Sequence, residues 1–403
     1  MHVALFMDQH PHSLGGVQTS VMLQTKYLNR SGVQVTIFAP KSTKARPDPN
    51  IKVLPSNYLP IGREYSNVWS LRKAAKFCEE VYKERTFDIV HVQGDFAAAS
   101  LGAALARRHN LPLVHTEHTN VDVMANKLIG KPLKIILLKF FTWQYGHFLK
   151  LGKRPRVFNA FDYAGFILRQ ADLIIAPSKH YAELLKEKGA ATKVQASFTG
   201  VDDDEVAQIK RNVPVPNKPI SFVWAARMLP EKRLIQTIEA FARSKVKAHL
   251  NIYGIGPLEK VAKNLVRARL ITKRVTFRGR VPHSELLQIF ANADAVMQTS
   301  IGFETQGLTV YESAAVGTPV LLCDPKIAAE LPKKTYWLDK SGTIKSLSKT
   351  IKKAVEDISE GANKRDLLKD PTWLLQSALT KEMIATYKKL IEEKKAEQAK
   401  SIS

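Results

Sequence analysis

The 403-residue sequence predicts an α/β protein with two doubly wound parallel-sheet domains. Short apolar runs alternate with longer amphipathic stretches, the pattern of βα units and a parallel sheet. A charged, proline-bearing stretch interrupts that alternation near the middle of the chain, and a new apolar run restarts it. The length, with 45% hydrophobic residues, is enough to bury two ordinary cores.

In the first half, strands are expected at His2–Met7, Val33–Ala39, Ile89–Val92, Leu113–His115 and Leu173–Ala176. Helices are expected between them at Val17–Asn29, Trp69–Lys83 and Phe96–Arg108. The stretch from Asp202 to Pro216 reads as a linker, and strands resume at Ile220–Ala225, His249–Tyr253, Val275–Phe277, Ala295–Gln298 and Pro319–Cys323. Leu374–Glu397 mixes Lys and Glu without Pro or Gly and reads as helix. The expected division is residues 1–205, 206–375 and a terminal helix at 376–403.

A net charge of +24 points to anionic partners: nucleic acid, acidic lipid or phosphorylated small molecules. Its placement narrows the choice. Between Asp122 and Asp162 there is no acid, but eight Lys or Arg: Lys127, Lys131, Lys134, Lys139, Lys150, Lys153, Arg154 and Arg156. Seven aromatics, Phe140, Phe141, Trp143, Tyr145, Phe148, Phe158 and Phe161, lie among them. Rings at headgroup depth beside cations suit an anionic membrane surface, so residues 127–161 are expected to face one. The competing readings are a stacking surface for nucleic acid and a plain helix with solvated lysines.

The apolar run from Ile135 to Phe141 is broken by Lys139 and falls short of the roughly 20 residues a span needs. Cys78 and Cys323 are far apart and fit neither a disulfide framework nor a Cys-based metal site, so a reduced compartment is expected. There is no Walker A sequence, zinc spacing, His-Glu-x-x-His or Gly-x-Ser-x-Gly, which leaves ATPase, metalloprotease and hydrolase readings without support.

The most specific chemistry lies in the stretch from Gly302 to Val320. Glu304 and Glu312 stand eight residues apart across a loop-to-helix junction. Gly307 and Leu308 between them let backbone amides open towards a ligand, and a helix starting near Thr309 turns its positive end towards negative charge. Glu312, one turn inside, is suited to accept both hydroxyl protons of a ribose diol. The site reads as one for a sugar nucleotide. Gly15 and Gly16 follow the first strand and open the first helix, where glycine permits close backbone approach to phosphate or sugar. Polar residues from Asp8 to His12 share that strand end, with His10 and His12 as candidate acceptor contacts. Arg227 and Lys232 follow the first strand of the second domain, and Gly254 and Gly256 follow the next.

These elements resemble the retaining glycosyltransferases of family 4, whose two Rossmann-like domains form the GT-B fold. The match includes the Glu-x7-Glu spacing of Glu304 and Glu312, then Gly307, Leu308, Gly317 and Pro319. It extends to the Gly15-Gly16 loop, the Arg227/Lys232 pair, the Gly254-Ile255-Gly256-Pro257 turn and the Thr-x-His element ending at His118. Two departures stand out. Gln306 replaces the usual Phe, which is similar to the branch that glucosylates diacylglycerol, and Thr199 replaces Asn in an Asn-Gly-Val-Asp turn.

The resemblance implies that Arg227 and Lys232 hold the nucleotide diphosphate, Glu312 the ribose, Glu304 and His118 the donor sugar, with Gly16 on the opposite phosphate side. It implies front-face transfer with retention, in which the departing phosphate oxygen takes the acceptor's proton. No metal and no cofactor are expected, so the run Asp202–Asp204 is read as part of a turn. The expected reaction moves a hexose from UDP-glucose to diacylglycerol, by a protein held peripherally at the cytoplasmic face of the cell membrane. Alternatives are a phosphatidylinositol, soluble or polysaccharide acceptor with GDP-mannose or another donor, a sugar-nucleotide epimerase, and a non-catalytic basic protein that binds lipid or nucleic acid. Two carboxylates among the site residues give a polyanion binder no advantage.

Overall fold

A computed structural model describes residues 1–13, 15–59, 65–120, 122, 131–152, 155–210, 218–361 and 370–402. Leu14, Lys127, Lys153, Arg154 and the linker residues Val213–Pro216 lie outside them. The chain forms two compact units, Met1–Thr199 with Leu379–Ser403, and Gly200–Ala378.

The first unit opens with β1 (His2–Phe6), α1 (Gly16–Arg30), β2 (Gln34–Pro40) and β3 (Ile51–Leu54), followed by a short antiparallel ribbon of β4 (Asn57–Tyr58) and β5 (Ser66–Asn67). It continues through α2 (Leu71–Glu84), β6 (Ile89–Val92), α3 (Ala97–His109), β7 (Leu113–Thr116), α4 (Lys131–Phe148), α5 (Ala160–Leu168), β8 (Leu173–Ala176), α6 (Lys179–Glu187) and β9 (Gln195–Ala196). The main sheet is parallel, in the order β3-β2-β1-β6-β7-β8-β9. Its strands are apolar on both faces because both are covered. Val3, Leu5 and Met7 enter one core with Val21 and Ile37, while Ala4 and Phe6 enter another with Phe38 and Val92. Phe6 and Phe38 stack at 4.6 Å. The strands β3 and β9, absent from the sequence expectation, are the sheet's two edges. The two residues of β9 are both exposed, so no apolar periodicity marks them.

In the second unit, α7 (Asp203–Ala207) precedes β10 (Ile220–Ala225), α8 (Leu234–Ser244), β11 (Ala248–Tyr253), α9 (Glu259–Ala268), β12 (Val275–Gly279) and α10 (His283–Ala291). Then come β13 (Ala295–Gln298), α11 (Leu308–Ala315), β14 (Val320–Leu322), α12 (Pro325–Ala328), β15 (Tyr336–Leu338) and α13 (Ile344–Ser359). The order is β12-β11-β10-β13-β14-β15, again parallel. Phe222, Trp224, Leu250 and Ile252 alternate into one core with Ile238, Phe241 and Ile351.

The last helix, α14 (Gln376–Ile402), returns the chain to the first unit. Met383 and Tyr387 fill the core face of Val3 and Leu5, and the Tyr387 hydroxyl lies 2.6 Å from His91 Nδ1. Both sheets share one topological device: two strands build outwards from the first, then the chain crosses to its other side. The crossings put β6 beside β1 and β13 beside β10, and ligands of open α/β sheets bind at the carboxyl ends of such strands.

Candidate active site

Two loops leave the switch point of the second unit. The chain exits β10 through Arg227 into a 3-10 turn at Pro230–Lys232, and exits β13 through Thr299 towards Glu304. Since β10 and β13 are paired, both loops start on one edge. There Lys232 donates from Nζ to Glu304 Oε1 at 2.5 Å, and the same ammonium stands 5.2 Å from the centre of the Phe303 ring. The pair is largely shielded, at 18% and 12% exposure, so salt screens it less than a surface pair. Arg227 is exposed.

Hydrogen bonds tie together the frame beneath the pair. Thr299 Oγ1 donates to the Lys232 carbonyl at 2.9 Å and accepts from the indole of buried Trp224 at 3.2 Å. Asp324 accepts the Gly302 amide at 2.7 Å with one oxygen and the Lys326 amide at 2.9 Å with the other, which anchors the β13 loop to the start of α12. Gly307 caps α11 in the left-handed region, φ 83°, and no side chain caps that end. A Cβ on Gly307 would stand 3.8 Å from the Glu304 Cβ, so the Glu304 side chain begins beside the positive end of α11. Gln306 is buried. Leu308 is the first residue of the helix, one residue before the expected start.

Glu312 has a partner that the sequence did not disclose. Its Oε1 accepts from His283 Nε2 at 2.8 Å, and His283 Nδ1 donates to Glu205 Oε2 at 2.8 Å. Hydrogen bonds to Glu205 and Glu312 raise the imidazole to about 10, so it is cationic at neutral pH. The glycines Gly254 and Gly256 have a packing reason of their own. A Cβ on Gly254 would meet the Ala226 carbonyl oxygen at 2.0 Å, and one on Gly256 the Met228 backbone at 2.8 Å. They let the β11 turn lie against the Arg227 loop, which Met228 N fastens by donating to Ile255 O at 3.0 Å.

In the first unit, Gly15 precedes α1 and Gly16 is its first residue. Asp8, just past β1, accepts from the amides of Phe96 and Ala98, each at 2.9 Å, and thereby caps α3. His10 is buried, and burial together with His12 lowers it to about 4. His118, past β7, has its Nε2 2.6 Å from Gln93 Oε1, and Gln93 in turn donates to Gln24 Oε1. Gln93 Oε1 can only accept, so His118 Nε2 carries the hydrogen. Burial lowers this imidazole to about 4 and keeps it neutral.

The sequence matches the family described as Glycosyltransferase Family 4 over residues 14–205 and the one described as Glycosyl transferases group 1 over residues 205–367. The two meet at residue 205 and together cover every strand of both sheets except β1. The chain belongs to the GT-B glycosyltransferases. This glycosyltransferase is 26% identical over 338 residues to the alpha-monoglucosyldiacylglycerol synthase of Streptococcus pneumoniae, covering 80% of this chain and 70% of the relative. It is 24% identical to the synthase of the same name from Acholeplasma laidlawii, covering 80% of each. Among solved structures, sucrose-phosphate synthase from Thermosynechococcus elongatus shares the fold at TM-score 0.72 and 18% identity, over 97% of this chain and 99% of that one. The Anabaena protein HepE in complex with UDP does so at TM-score 0.70 and 15% identity, over 96% and 99%.

The glycosyltransferase carries a second notable surface on α4. Leu133, Ile136, Phe140 and Trp143 are exposed, at 53%, 64%, 50% and 52%, and recur at the three- and four-residue spacing that lines one helix face. Leu138, Thr142 and Tyr145 line the opposite, buried face. Lys139, Trp143, Arg156 and Phe158 border a shallow apolar groove beside the exposed stripe. Lys134 does not belong to this surface. It is buried, with its Nζ 2.7 Å from Asp122 Oδ1, because it lies on the inner face with Leu138. Among the described residues no helix is long and apolar enough to cross a membrane.

Proposed function

We propose that this glycosyltransferase transfers glucose from UDP-glucose to diacylglycerol in an anionic bilayer, with retention of anomeric configuration and without a metal at the diphosphate. The observation that carries the donor half is the Lys232–Glu304 pair at the β10/β13 switch point, with Arg227 on the same loop. Two cations on one short turn suit the two charges of a leaving diphosphate, and Glu304 against Lys232 puts a carboxylate where the sugar would meet them. Glu312, oriented by cationic His283, keeps its second oxygen for a ribose hydroxyl. HepE has been solved with UDP-glucose, and its shared fold supports that donor class.

The acceptor half rests on the exposed apolar stripe of α4, with Lys139 and Arg156 at its border. Large side chains held in water cost free energy that insertion at headgroup depth recovers, and the cations select anionic lipid. Both curated relatives are named for a diacylglycerol product, which supports the same acceptor. We assign His118 to the donor sugar and Gly16 to its phosphate.

The test is transfer of radiolabel from UDP-glucose, UDP-galactose and GDP-mannose into the lipid extract of liposomes carrying diacylglycerol or phosphatidylinositol. Label from UDP-glucose in the diacylglycerol fraction, absent in Glu304→Ala, is expected. Label only in a water-soluble acceptor, or from GDP-mannose alone, would overturn the reading.

A further inference from the structure

Beneath the carboxyl ends of β6 and β7 the first unit buries a cluster of three polar side chains with several unpartnered atoms. Asp95, His115 and Glu117 are 4%, 2% and 0% exposed. Asp95 Oδ1, His115 Nε2 and both Glu117 oxygens are buried without a hydrogen-bond partner. His115 Nε2 points between the carboxylates, 3.7 Å from Asp95 Oδ1 and 3.8 Å from Glu117 Oε2. One atom from each residue lies within 4.8 Å of the others.

Leaving such groups unsatisfied is costly, and the usual remedies are an internal partner, a bound proton or a metal ion. The neighbouring imidazoles are engaged elsewhere: His91 with the hydroxyls of Tyr387 and Thr116, and His118 with Gln93 Oε1. Tyr163, beside the cluster, gives its hydroxyl to the Asp95 carbonyl at 2.5 Å, and Tyr181 gives its own to the Thr119 carbonyl at 2.8 Å. Neither hydroxyl is spent on the carboxylates.

We propose that Asp95, His115 and Glu117 bind a divalent first-row cation, zinc or manganese, that stabilises the first unit. One imidazole nitrogen with two carboxylate oxygens is a donor set that both ions accept. Ligands about 2.1 Å from a tetrahedral zinc lie about 3.4 Å apart, so the 3.7 and 3.8 Å separations need only a slight contraction around an ion, and the carboxylate oxygens, within 4.8 Å of each other, must close by at most about 1.4 Å. On binding, any proton held by the carboxylates is released to solvent, and two negative charges then face two positive ones. The ion is buried in the first unit and coordinates nothing of the donor diphosphate, so the metal-free leaving-group chemistry assigned to Arg227 and Lys232 is unaffected.

The full-length chain without an affinity tag would be denatured in chelator and refolded with zinc chloride, manganese chloride or chelator. Excess ion would then be removed and metal per chain measured by mass spectrometry. One ion per chain is expected, with a higher melting temperature than the chelated form, and at least tenfold less metal in Glu117→Gln and in Asp95→Asn. Cobalt(II) in the same place should show visible ligand-field absorption that is lost in His115→Gln. Wild-type protein that folds with no retained ion and an unchanged melting temperature would overturn the proposal without recourse to any variant. Retention that survives all three substitutions would overturn it too, by placing the ion elsewhere.

Discussion

Lys232 and Glu304 are 72 residues apart, yet both were legible: Lys232 follows an apolar run on the edge where open sheets bind ligands, and Glu304 stands at a loop-to-helix junction eight residues before Glu312. Removing Lys232 should therefore act on the chemistry. Lys232→Ala is expected to lower kcat by about 100-fold or more, the loss typical of one preorganised group facing transition-state charge, while the melting temperature changes little. The His283 bridge was not legible. Its partners Glu205 and Glu312 are 78 and 29 residues away, and no local pattern links them. The clue available was the Val281-Pro282-His283 start of a helix after a strand, and that specifies no partner.

The bridge also has a pH signature. The folded imidazole is raised from 6.5 to about 10, so its contribution is complete below pH 6.5 and disappears as pH climbs through 10. Because the side chain is 40% exposed, the contribution should stay below about 1 kcal/mol. Urea melts of wild type and His283→Gln should differ at pH 6 and converge above pH 10. A gap that widens with pH would contradict the assignment.

At the scale of elements, α4 shows what periodicity can and cannot say. The sequence identifies a basic aromatic segment but not which side chains face in, so only packing decides that Lys134 and Leu138 turn inwards while Ile136, Phe140 and Trp143 turn out. Replacing those three outward residues with Ser should lower partitioning onto anionic liposomes more than tenfold, since each large apolar side chain is worth about 1.5 to 3 kcal/mol when buried. Being exposed, they should change folding stability by only about 0.5 kcal/mol each, so flotation and thermal melting separate the two effects. Gly254 and Gly256 make the complementary point. Their spacing suggested a ligand loop, whereas the tightest approach they permit is that of their own neighbour, the Arg227 loop.

Across the whole molecule, the two parallel sheets were legible because covered strands read as apolar runs; of the edge strands only β12 was, while β3, β9 and β15 were not because they are short and partly exposed. The net charge of +24 should make membrane association strongly salt-dependent. Raising ionic strength towards 1 M, where the screening length falls to about 3 Å, should abolish the preference for anionic over neutral liposomes but leave a residual binding that comes from the apolar stripe. Stability of the first unit should depend on residues close to the other end of the chain. Tyr387→Ala is expected to cost roughly 3 to 5 kcal/mol, as for other fully buried aromatics, read as loss of the unfolding transition that reports on the first unit.

That dependence sets an order on synthesis. A ribosome releases β1 hundreds of residues before α14, and until α14 emerges the sheet face of Val3, Leu5 and Ile37 lacks Met383 and Tyr387. The unit made first is thus the one finished last, and its nascent form carries an uncovered apolar face throughout translation of the second unit. Chaperone engagement should accordingly persist until α14 is released and fall away when it docks.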